Sequence, residues 1–250
     1  MIQNELINLL VRSAFQSEYW RLSRNPALGL LFILPLWLFY EILAYQLNRG
    51  WLGNLRTGTD YLIKKYLNCF GLHVGVVLFL LFAIIIGFII HQWKKIRKIR
   101  QRPVYFAFMV LESLGYALIL GLFVGSLTGL FLNQSRAVLD PNKAAALIIN
   151  LGSGVYEEFI FRFMLISAVA LLLKKIGPNE YLSYSIAVIV SSLLFSYAHH
   201  LAIFNEPLSF SSVVFRFFAG VAFSVLFIFR GYGITACTHS MYNVFLMFRL

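Results

Sequence analysis

The feature that most constrains the fold is an apolar segment, Phe70–Trp93, that contains no Asp, Glu, Lys or Arg. A helix needs about 20 apolar residues to cross the hydrocarbon core of a bilayer. In that core only helices and closed barrels satisfy their own backbone hydrogen bonds, so such a segment predicts a membrane-spanning helix. Six further segments have a similar character, and they cover residues 27–47, 104–132, 144–173, 181–204, 212–229 and 231–248.

Together these segments predict an all-α fold, a polytopic transmembrane helical bundle of seven or eight spans. The eighth span arises if the long segment 144–173 divides at Gly152–Gly154, where small residues favour a bend or a break. Ahead of the first span, residues 1–26 scatter charged residues among apolar ones. This pattern predicts an amphipathic N-terminal helix that lies on the membrane surface.

The composition argues against a soluble domain. Hydrophobic residues make up 60% of the chain and charged residues 12%, whereas soluble domains keep roughly a quarter of their residues charged. Part of the net charge of +11 comes from a basic run at residues 94–102, directly after the uncharged segment. A basic run in this position is typical of a cytoplasmic flank beside anionic lipid headgroups. We therefore expect membrane lipid, and no nucleic acid, as a partner.

Carboxylates within the expected spans are the first candidates for function. A charge inside a bilayer costs about 2.5–3.5 kcal/mol by insertion scales and therefore needs a reason. Four carboxylates qualify, namely Glu41, Glu112, Glu157 and Glu158. Glu41 and Glu112 stand alone, and we expect each to hydrogen-bond to a neighbouring helix or to lie near the water interface.

Glu157 and Glu158 are adjacent, and Arg162 follows in the same segment. On a helix Glu158 and Arg162 lie about 40° apart around the axis, which favours an ion pair. Glu157 is about 140° from Arg162 and cannot share it well. One carboxylate can therefore be neutralised by the arginine while the other stays unpaired, as a general base requires.

Histidines in the second half of the chain supply the other polar groups. His199 and His200 follow an apolar run, and His239 and Asn243 lie four residues apart on one face of the last segment. Donors aligned in this way could stabilise an oxyanion. Three successive segments thus carry Glu-Glu-x-x-x-Arg, Phe-x-x-x-His and His-x-x-x-Asn in that order.

In these motifs the chain resembles the CPBP family of intramembrane proteases. This family includes the type II CAAX prenyl proteases and bacterial relatives linked to bacteriocin immunity. The likeness covers roughly residues 144–248 and extends to the Arg-Gly-Tyr-Gly-Ile run at 230–234. The matching motif positions are Glu157, Glu158, Arg162, Phe195, His199, His239 and Asn243.

The resemblance implies a role for each of these residues. Glu157 would activate water with the help of His199, while His239 and Asn243 would hold the oxyanion of the tetrahedral intermediate. Glu158 and Arg162 would orient the site. His200 departs from the family, which usually has an apolar residue there; it raises the question of which imidazole faces Glu157, and the motif spacing favours His199. The chain would divide into an amphipathic segment at 1–26, N-terminal transmembrane helices at 27–140 and a catalytic core at 141–250.

The implied activity is that of an intramembrane endopeptidase of the glutamate type, a hydrolase without a cofactor. Its substrate would be a hydrophobic or lipidated peptide or protein in a bacterial or archaeal cell membrane, where the enzyme would be a multi-pass protein. Zinc held by Glu157, His199 and His239 is the alternative. We favour the metal-free reaction because the sequence lacks His-Glu-x-x-His.

Two other classes of function stay open at this point. Intramembrane Glu, Arg and His also form proton relays in transporters, although here they cluster in the second half of the chain and no inverted repeat is visible. A non-catalytic immunity or scaffold protein of the same family is the second alternative. Every expected catalytic position is filled, which favours the enzyme.

Overall fold

The computed structural model describes residues 18–50, 56–94, 103–131, 143–177, 179–200 and 209–248, and within these ranges the regular structure is helical, without a strand. In chain order the helices are α1 (Glu18–Ser23), α2 (Pro26–Asn48), α3 (Gly58–Cys69), α4 (Val74–His91), α5 (Val104–Phe131), α6 (Lys143–Glu157), a π-helical segment (Glu158–Ile166), α7 (Ser167–Ile176), α8 (Glu180–Ala198) and α9 (Phe210–Phe248). The expected all-α fold class is confirmed.

Five of the described helices are long and apolar enough to cross a membrane, namely α2, α4, α5, α8 and α9. Many of their outward side chains are apolar as well. Phe79 and Ile84 on α4, for example, are each 68% exposed. Extended apolar surface of this kind is typical of a protein that contacts lipid.

The 39 residues of α9 would extend about 58 Å as one straight helix, roughly twice the hydrocarbon thickness of a bilayer. The helix is interrupted at Gly231, where φ is 76° and ψ is 176°. The Phe223 and His239 rings stack with their centroids 4.4 Å apart, whereas a straight helix would separate these residues by about 24 Å. Thus α9 is a helical hairpin, and we call residues 210–230 α9a and residues 232–248 α9b.

With α9 divided in this way, the helices correspond to the seven apolar segments found in the sequence. They are α2, α4, α5, the helical run from α6 to α7, α8, α9a and α9b. The run from α6 to α7 carries the paired glutamates and packs against α9. Around the glutamates the run is buried, whereas Leu171, Leu172 and Ile176 nearer its end are exposed.

The prediction of a bend at Gly152–Gly154 is wrong. Helix α6 continues through these residues, and α geometry gives way to π geometry only at Glu158. The two glycines allow close packing instead, since a Cβ at Gly152 would lie 2.2 Å from the Tyr40 ring and one at Gly154 would lie 2.3 Å from Ser240 Oγ. Helices α2 and α9b therefore pack directly on the backbone of α6.

Helix α2 forms the centre of the largest buried apolar cluster. Its backbone meets α9b so closely that a Cβ at Gly29 would lie 2.9 Å from Gly233 N. The cluster joins side chains from both halves of the chain, among them Leu28, Ile33, Trp37, Met109, Ile148, Val155, Tyr232 and Ile234. The two halves thus share one core.

Glu41 and Glu112 both hydrogen-bond to neighbouring helices, as expected. Glu41 accepts from Lys64 Nζ at 2.7 and 2.8 Å, and it also binds Arg56 at 3.2 Å. Burial alone would lower the pKa of the Arg56 guanidinium, but the Asp60 and Glu41 carboxylates outweigh burial and raise that pKa. This charged group therefore stays ionised and ties α3 to α2.

Glu112 on α5 pairs with Arg230 at the tip of the α9 hairpin. It also accepts a hydrogen bond from Tyr19 of α1, and the Arg230 guanidinium lies 3.8 Å from the centroid of a Trp20 ring. Helix α1 thus covers the tip of the hairpin. The rest of the expected amphipathic segment, residues 1–17, lies outside the described residues.

Candidate active site

Glu157 ends α6 and Glu158 begins the π-helical segment, so the two carboxylates stand where the helical geometry changes. Turns of π-helix are rare and occur frequently at functional sites. Both side chains are enclosed, since Glu157 is 3% exposed and Glu158 is fully buried. Adjacent helical residues diverge by about 100°, and these two carboxylates accordingly meet different partners.

Glu158 is held by a cation and by an imidazole. Its Oε1 lies 3.2 Å from Arg162 Nη1, which confirms the ion pair expected from the spacing, and 2.6 Å from His239 Nδ1. Arg162 also donates from Nη2 to the Gly220 carbonyl at 3.4 Å, and its guanidinium lies 4.3 Å from the Phe195 ring centroid. The charge of Glu158 is thus balanced inside the protein, and its carboxylate orients His239.

Glu157 faces both histidines and makes no comparable ion pair with Arg162. Its Oε1 accepts a hydrogen bond from Ser153 Oγ at 2.9 Å. Its Oε2 lies 3.8 Å from His199 Nε2 and 4.0 Å from His239 Nε2. These distances are too long for direct hydrogen bonds, so one oxygen is held by the serine while the other faces two imidazole edges across a gap.

The partners of the two rings determine which nitrogen carries the proton. His199 Nδ1 lies 2.9 Å from the Phe195 carbonyl oxygen, which can only accept, so Nδ1 bears the hydrogen. The same holds for His239 Nδ1 beside an ionised Glu158. In the neutral rings both Nε2 atoms are then acceptors that face another acceptor, Glu157 Oε2. A molecule that brings its own protons, such as water, satisfies this arrangement.

A cavity of about 360 Å³ opens beside these groups. It has room for a water molecule, which occupies about 30 Å³ in the liquid, and for part of a peptide. Its lining combines polar side chains with aromatic rings. Its lining includes Asn150, Ser153, Glu157, Phe195, His199, Phe215, Arg216, Phe223, His239 and Asn243.

Asn243 follows His239 by one turn of α9b, and both line the cavity. The Asn243 amide donates from Nδ2 to Ser153 Oγ at 3.3 Å. All four residues expected to be catalytic, Glu157, His199, His239 and Asn243, therefore border one cavity, although they come from α6, α9b and the end of α8.

His200 does not line this cavity. Among the described residues its two ring nitrogens have no hydrogen-bond partner. The imidazole that faces Glu157 from the end of α8 is therefore that of His199, which answers the question left open by the adjacent pair.

Three contacts of the site were missed in the sequence. They are the bond from Ser153 to Glu157, the bond between His239 and Glu158, and the stacking of Phe223 on the His239 ring. Ser153 lies four residues before Glu157, so its helical spacing could have suggested the first contact. The other two contacts join residues far apart in the chain, so no local sequence pattern predicts them.

The donor atoms were also compared with a zinc site. Tetrahedral donors about 2.0–2.1 Å from zinc lie about 3.3 Å from each other, whereas Glu157 Oε2 lies 3.8 and 4.0 Å from the two Nε2 atoms. Across the described residues, no group of three or more His, Cys, Asp or Glu side chains is placed to hold a metal ion. These donors, as arranged, do not fit zinc.

In a comparison with known families, the family model described as type II CAAX prenyl endopeptidase Rce1-like matches residues 140–245. This range contains every motif residue from Glu157 to Asn243, and the match confirms the resemblance seen in the sequence. No curated protein and no solved structure matches the chain.

Proposed function

We propose that the chain is an intramembrane endopeptidase of the glutamate type, because residues 140–245 match the family model described as type II CAAX prenyl endopeptidase Rce1-like. Glu157 is the general base in this proposal, and His199 assists it. His239 and Asn243 stabilise the oxyanion, while Glu158 and Arg162 orient the site. The enzyme is a multi-pass protein of a bacterial or archaeal cell membrane.

One observation carries the proposal: Glu157 Oε2 is faced by the Nε2 atoms of His199 and His239, at 3.8 and 4.0 Å, beside a cavity. The three side chains come from separate helices, so their convergence depends on the fold of the whole bundle. A purely structural ion pair would close to direct contact, as Glu158 does with Arg162. The separation at Glu157 suits a water molecule in the cavity that hydrogen-bonds to the carboxylate and an imidazole from the side.

The reaction follows from these positions. Water between Glu157 Oε2 and His199 Nε2 gives a proton to Glu157 while its oxygen attacks the carbonyl carbon of the peptide bond. The carbonyl π electrons move to oxygen and form a tetrahedral oxyanion. In this step His239 acts as the imidazolium, having taken a proton from solvent at Nε2: Glu158 holds its Nδ1–H, and its Nε2–H donates to the oxyanion, as Asn243 does from Nδ2. The C–N bond then breaks, and the leaving amine takes the proton from Glu157.

The cavity walls support a hydrophobic or lipidated substrate. Phe195, Phe215 and Phe223 supply aromatic surface, and Ile149 and Leu246 supply aliphatic surface. We propose a peptide or protein whose tail lies in the membrane, in line with the prenyl endopeptidases of the family. We also propose that the hydrolysis needs no metal, because Glu157 itself activates the water.

The test is cleavage of matched lipidated and unlipidated C-terminal peptides by the full chain in proteoliposomes. We expect Glu157→Gln and His199→Ala to lower the rate roughly 10²–10⁴-fold, as for loss of a general base or its partner. His200→Ala is the matched control because it alters the neighbouring imidazole outside the cavity, and it should keep the wild-type rate. Circular dichroism and gel filtration check that each variant is folded.

Two results would overturn this proposal. Full activity of Glu157→Gln would remove the general base from its assigned position. Stoichiometric zinc in the purified protein, together with activity that is lost on chelation and restored by zinc, would replace the metal-free reaction with metal-assisted hydrolysis.

A further inference from the structure

Ser153 lies one helical turn before Glu157 on α6 and belongs to none of the motifs considered above. Its hydroxyl donates to Glu157 Oε1 at 2.9 Å and accepts from Asn243 Nδ2 at 3.3 Å. A carboxylate only accepts and an amide nitrogen only donates, so the two bonds run in one direction, from Asn243 through Ser153 to Glu157. The serine thus connects α9b with the end of α6.

From this geometry we propose that Ser153 is a positioning residue that couples the general base to the oxyanion donor. The inference rests on the proposed function, since it assigns Ser153 a part in the same hydrolysis. In this proposal Ser153 makes no direct contact with the attacking water or the scissile bond. It acts through the two residues that do.

The first consequence concerns Glu157. Rotation about the last side-chain torsion of glutamate is broad and weakly restricted, so an untethered carboxylate would sample several orientations in the cavity. The bond from Ser153 holds Oε1 against α6. Oε2 is thereby kept toward His199 and His239, where the water must be deprotonated.

The second consequence concerns Asn243, whose amide has a donor end and an acceptor end of nearly equal size. The hydroxyl proton of Ser153 is already given to Glu157, so Ser153 Oγ can only accept from Asn243. This requires the nitrogen end of the amide to point toward α6. The second N–H of Nδ2 then stays available for an oxyanion, whereas a flipped amide would present an oxygen and repel it.

A second serine bridge between the same two helices provides a matched control. Ser240 on α9b donates to the Leu151 carbonyl on α6 at 2.9 Å, and it is 1% exposed. Ser240 therefore contributes packing between α6 and α9b without bonding a carboxylate or an amide side chain. Removing its hydroxyl tests the effect of a lost bridge alone.

The pH dependence of the reaction reports on the Ser153 bond, and other ionisable groups near Glu157 also influence it. Those that face Glu157 or line its cavity are Glu158, Arg162, His199, Arg216, His239 and Tyr242. Farther away, the charges of Glu41 on α2, Arg56 just before α3, and Asp60 and Lys64 on α3 are paired with one another. All of these groups are unchanged in the serine variants.

The first experiment compares kcat, KM and the pH profile of kcat for the full chain in proteoliposomes. We expect Ser153→Ala to lower kcat about tenfold or more while KM changes less than about twofold. Its acid limb should move up by about one pH unit, since the ionised carboxylate loses a hydrogen bond. Ser153→Thr keeps a hydroxyl and should keep the wild-type acid limb, and Ser240→Ala should keep both kcat and profile.

In an Asn243→Ala background, Ser153→Ala should lower kcat by a smaller factor than it does in the wild-type chain, because the two residues act as one unit. An equal fold-loss of kcat in the wild-type and Asn243→Ala backgrounds would overturn the coupling. A wild-type pH profile and kcat in Ser153→Ala would overturn the whole inference, provided that Glu157→Gln is inactive in the same assay.

A second measurement does not depend on turnover. Hydrophobic carbodiimides label protonated carboxyl groups within membranes, and mass spectrometry locates the label at Glu157. We expect the pH of half-maximal labelling to rise in Ser153→Ala and to stay unchanged in Ser153→Thr and Ser240→Ala. An unchanged midpoint in Ser153→Ala overturns the inference. If the midpoint rises but the wild-type chain cleaves no peptide, the Ser153 bond stands and the proposed function fails.

Discussion

At the scale of single residues, neighbours give two adjacent glutamates different chemistry. Glu158 is fully buried and shares its Oε1 with Arg162 and His239, so its charge is needed to balance a buried guanidinium. Glu157 bonds to a neutral serine, and its second oxygen faces a cavity. The first residue holds neighbouring side chains together, while the second presents an oxygen to the cavity, as the proposed general base requires.

This difference predicts opposite outcomes for two conservative substitutions. Glu158→Gln leaves the Arg162 charge buried without its carboxylate, and breaking a buried pair in this way costs about 3–5 kcal/mol of stability. Glu157→Gln removes no comparable partner, so it should change stability much less while abolishing cleavage. Thermal unfolding of both variants in the same detergent measures the contrast. Equal stability of the two variants would mean that another group compensates Arg162.

What the sequence could predict at this scale depends on the separation of the residues involved. The pair of Glu158 and Arg162 follows from helical geometry over four residues and was predicted. The bond from Glu158 to His239 joins residues 81 positions apart, and it depends on how α9b packs against the π-helical segment. Ser153 was assigned to a bend, because a serine between glycines indicates a flexible site as readily as a close contact.

At the scale of elements, the hairpin of α9 brings His239 and Asn243 to the cavity. Its turn depends on Gly231, whose φ of 76° and ψ of 176° lie in a region that is essentially restricted to glycine. A Cβ there would also lie 3.2 Å from the Arg24 carbonyl oxygen. Arg24 in turn donates to the Ile228 carbonyl, so the end of α1 and the hairpin tip fit each other closely.

Gly231→Ala tests the importance of this turn. We expect a loss of about 1–3 kcal/mol in stability from backbone strain, and a lower kcat because His239 is displaced. Gly87→Ala is the control, since a Cβ at Gly87 meets no atom within 4 Å and this helix position needs no special backbone conformation. Unfolding temperature and peptide cleavage are measured for both variants. A fully stable and active Gly231→Ala would show that the turn tolerates a side chain.

The elements themselves were largely predictable, because lipid imposes a minimum length on each apolar helix. The division of residues 210–248 into two spans followed from this length, and Gly231 lies at the expected boundary. The continuous helix at Gly152–Gly154 was not predictable in the same way. Small residues permit either a bend or a close helix contact, and only the position of Tyr40 and Ser240 decides between them.

At the scale of the whole molecule, the site depends on both halves of the chain, although the family match covers residues 140–245. Trp37 on α2 donates to the Tyr156 hydroxyl at 3.1 Å, and that hydroxyl donates to Glu41. Tyr156 directly precedes Glu157. Thr57 and Gly58, at the start of α3, line the cavity beside Glu157. The first half therefore supports Glu157 and forms part of the cavity wall.

Division of the chain tests this dependence. When residues 1–140 and 141–250 are produced as separate chains in one membrane, we expect them to copurify and to cleave peptide, because membrane helices associate through close packing after insertion. Residues 141–250 alone should not cleave, since they lack the contacts of Trp37, Glu41 and Gly29. The same pair carrying Glu157→Gln controls for background hydrolysis. Cleavage by residues 141–250 alone at the rate of the full chain would show that the first half is dispensable for the site, and the buried charges around Glu41 would then serve stability only.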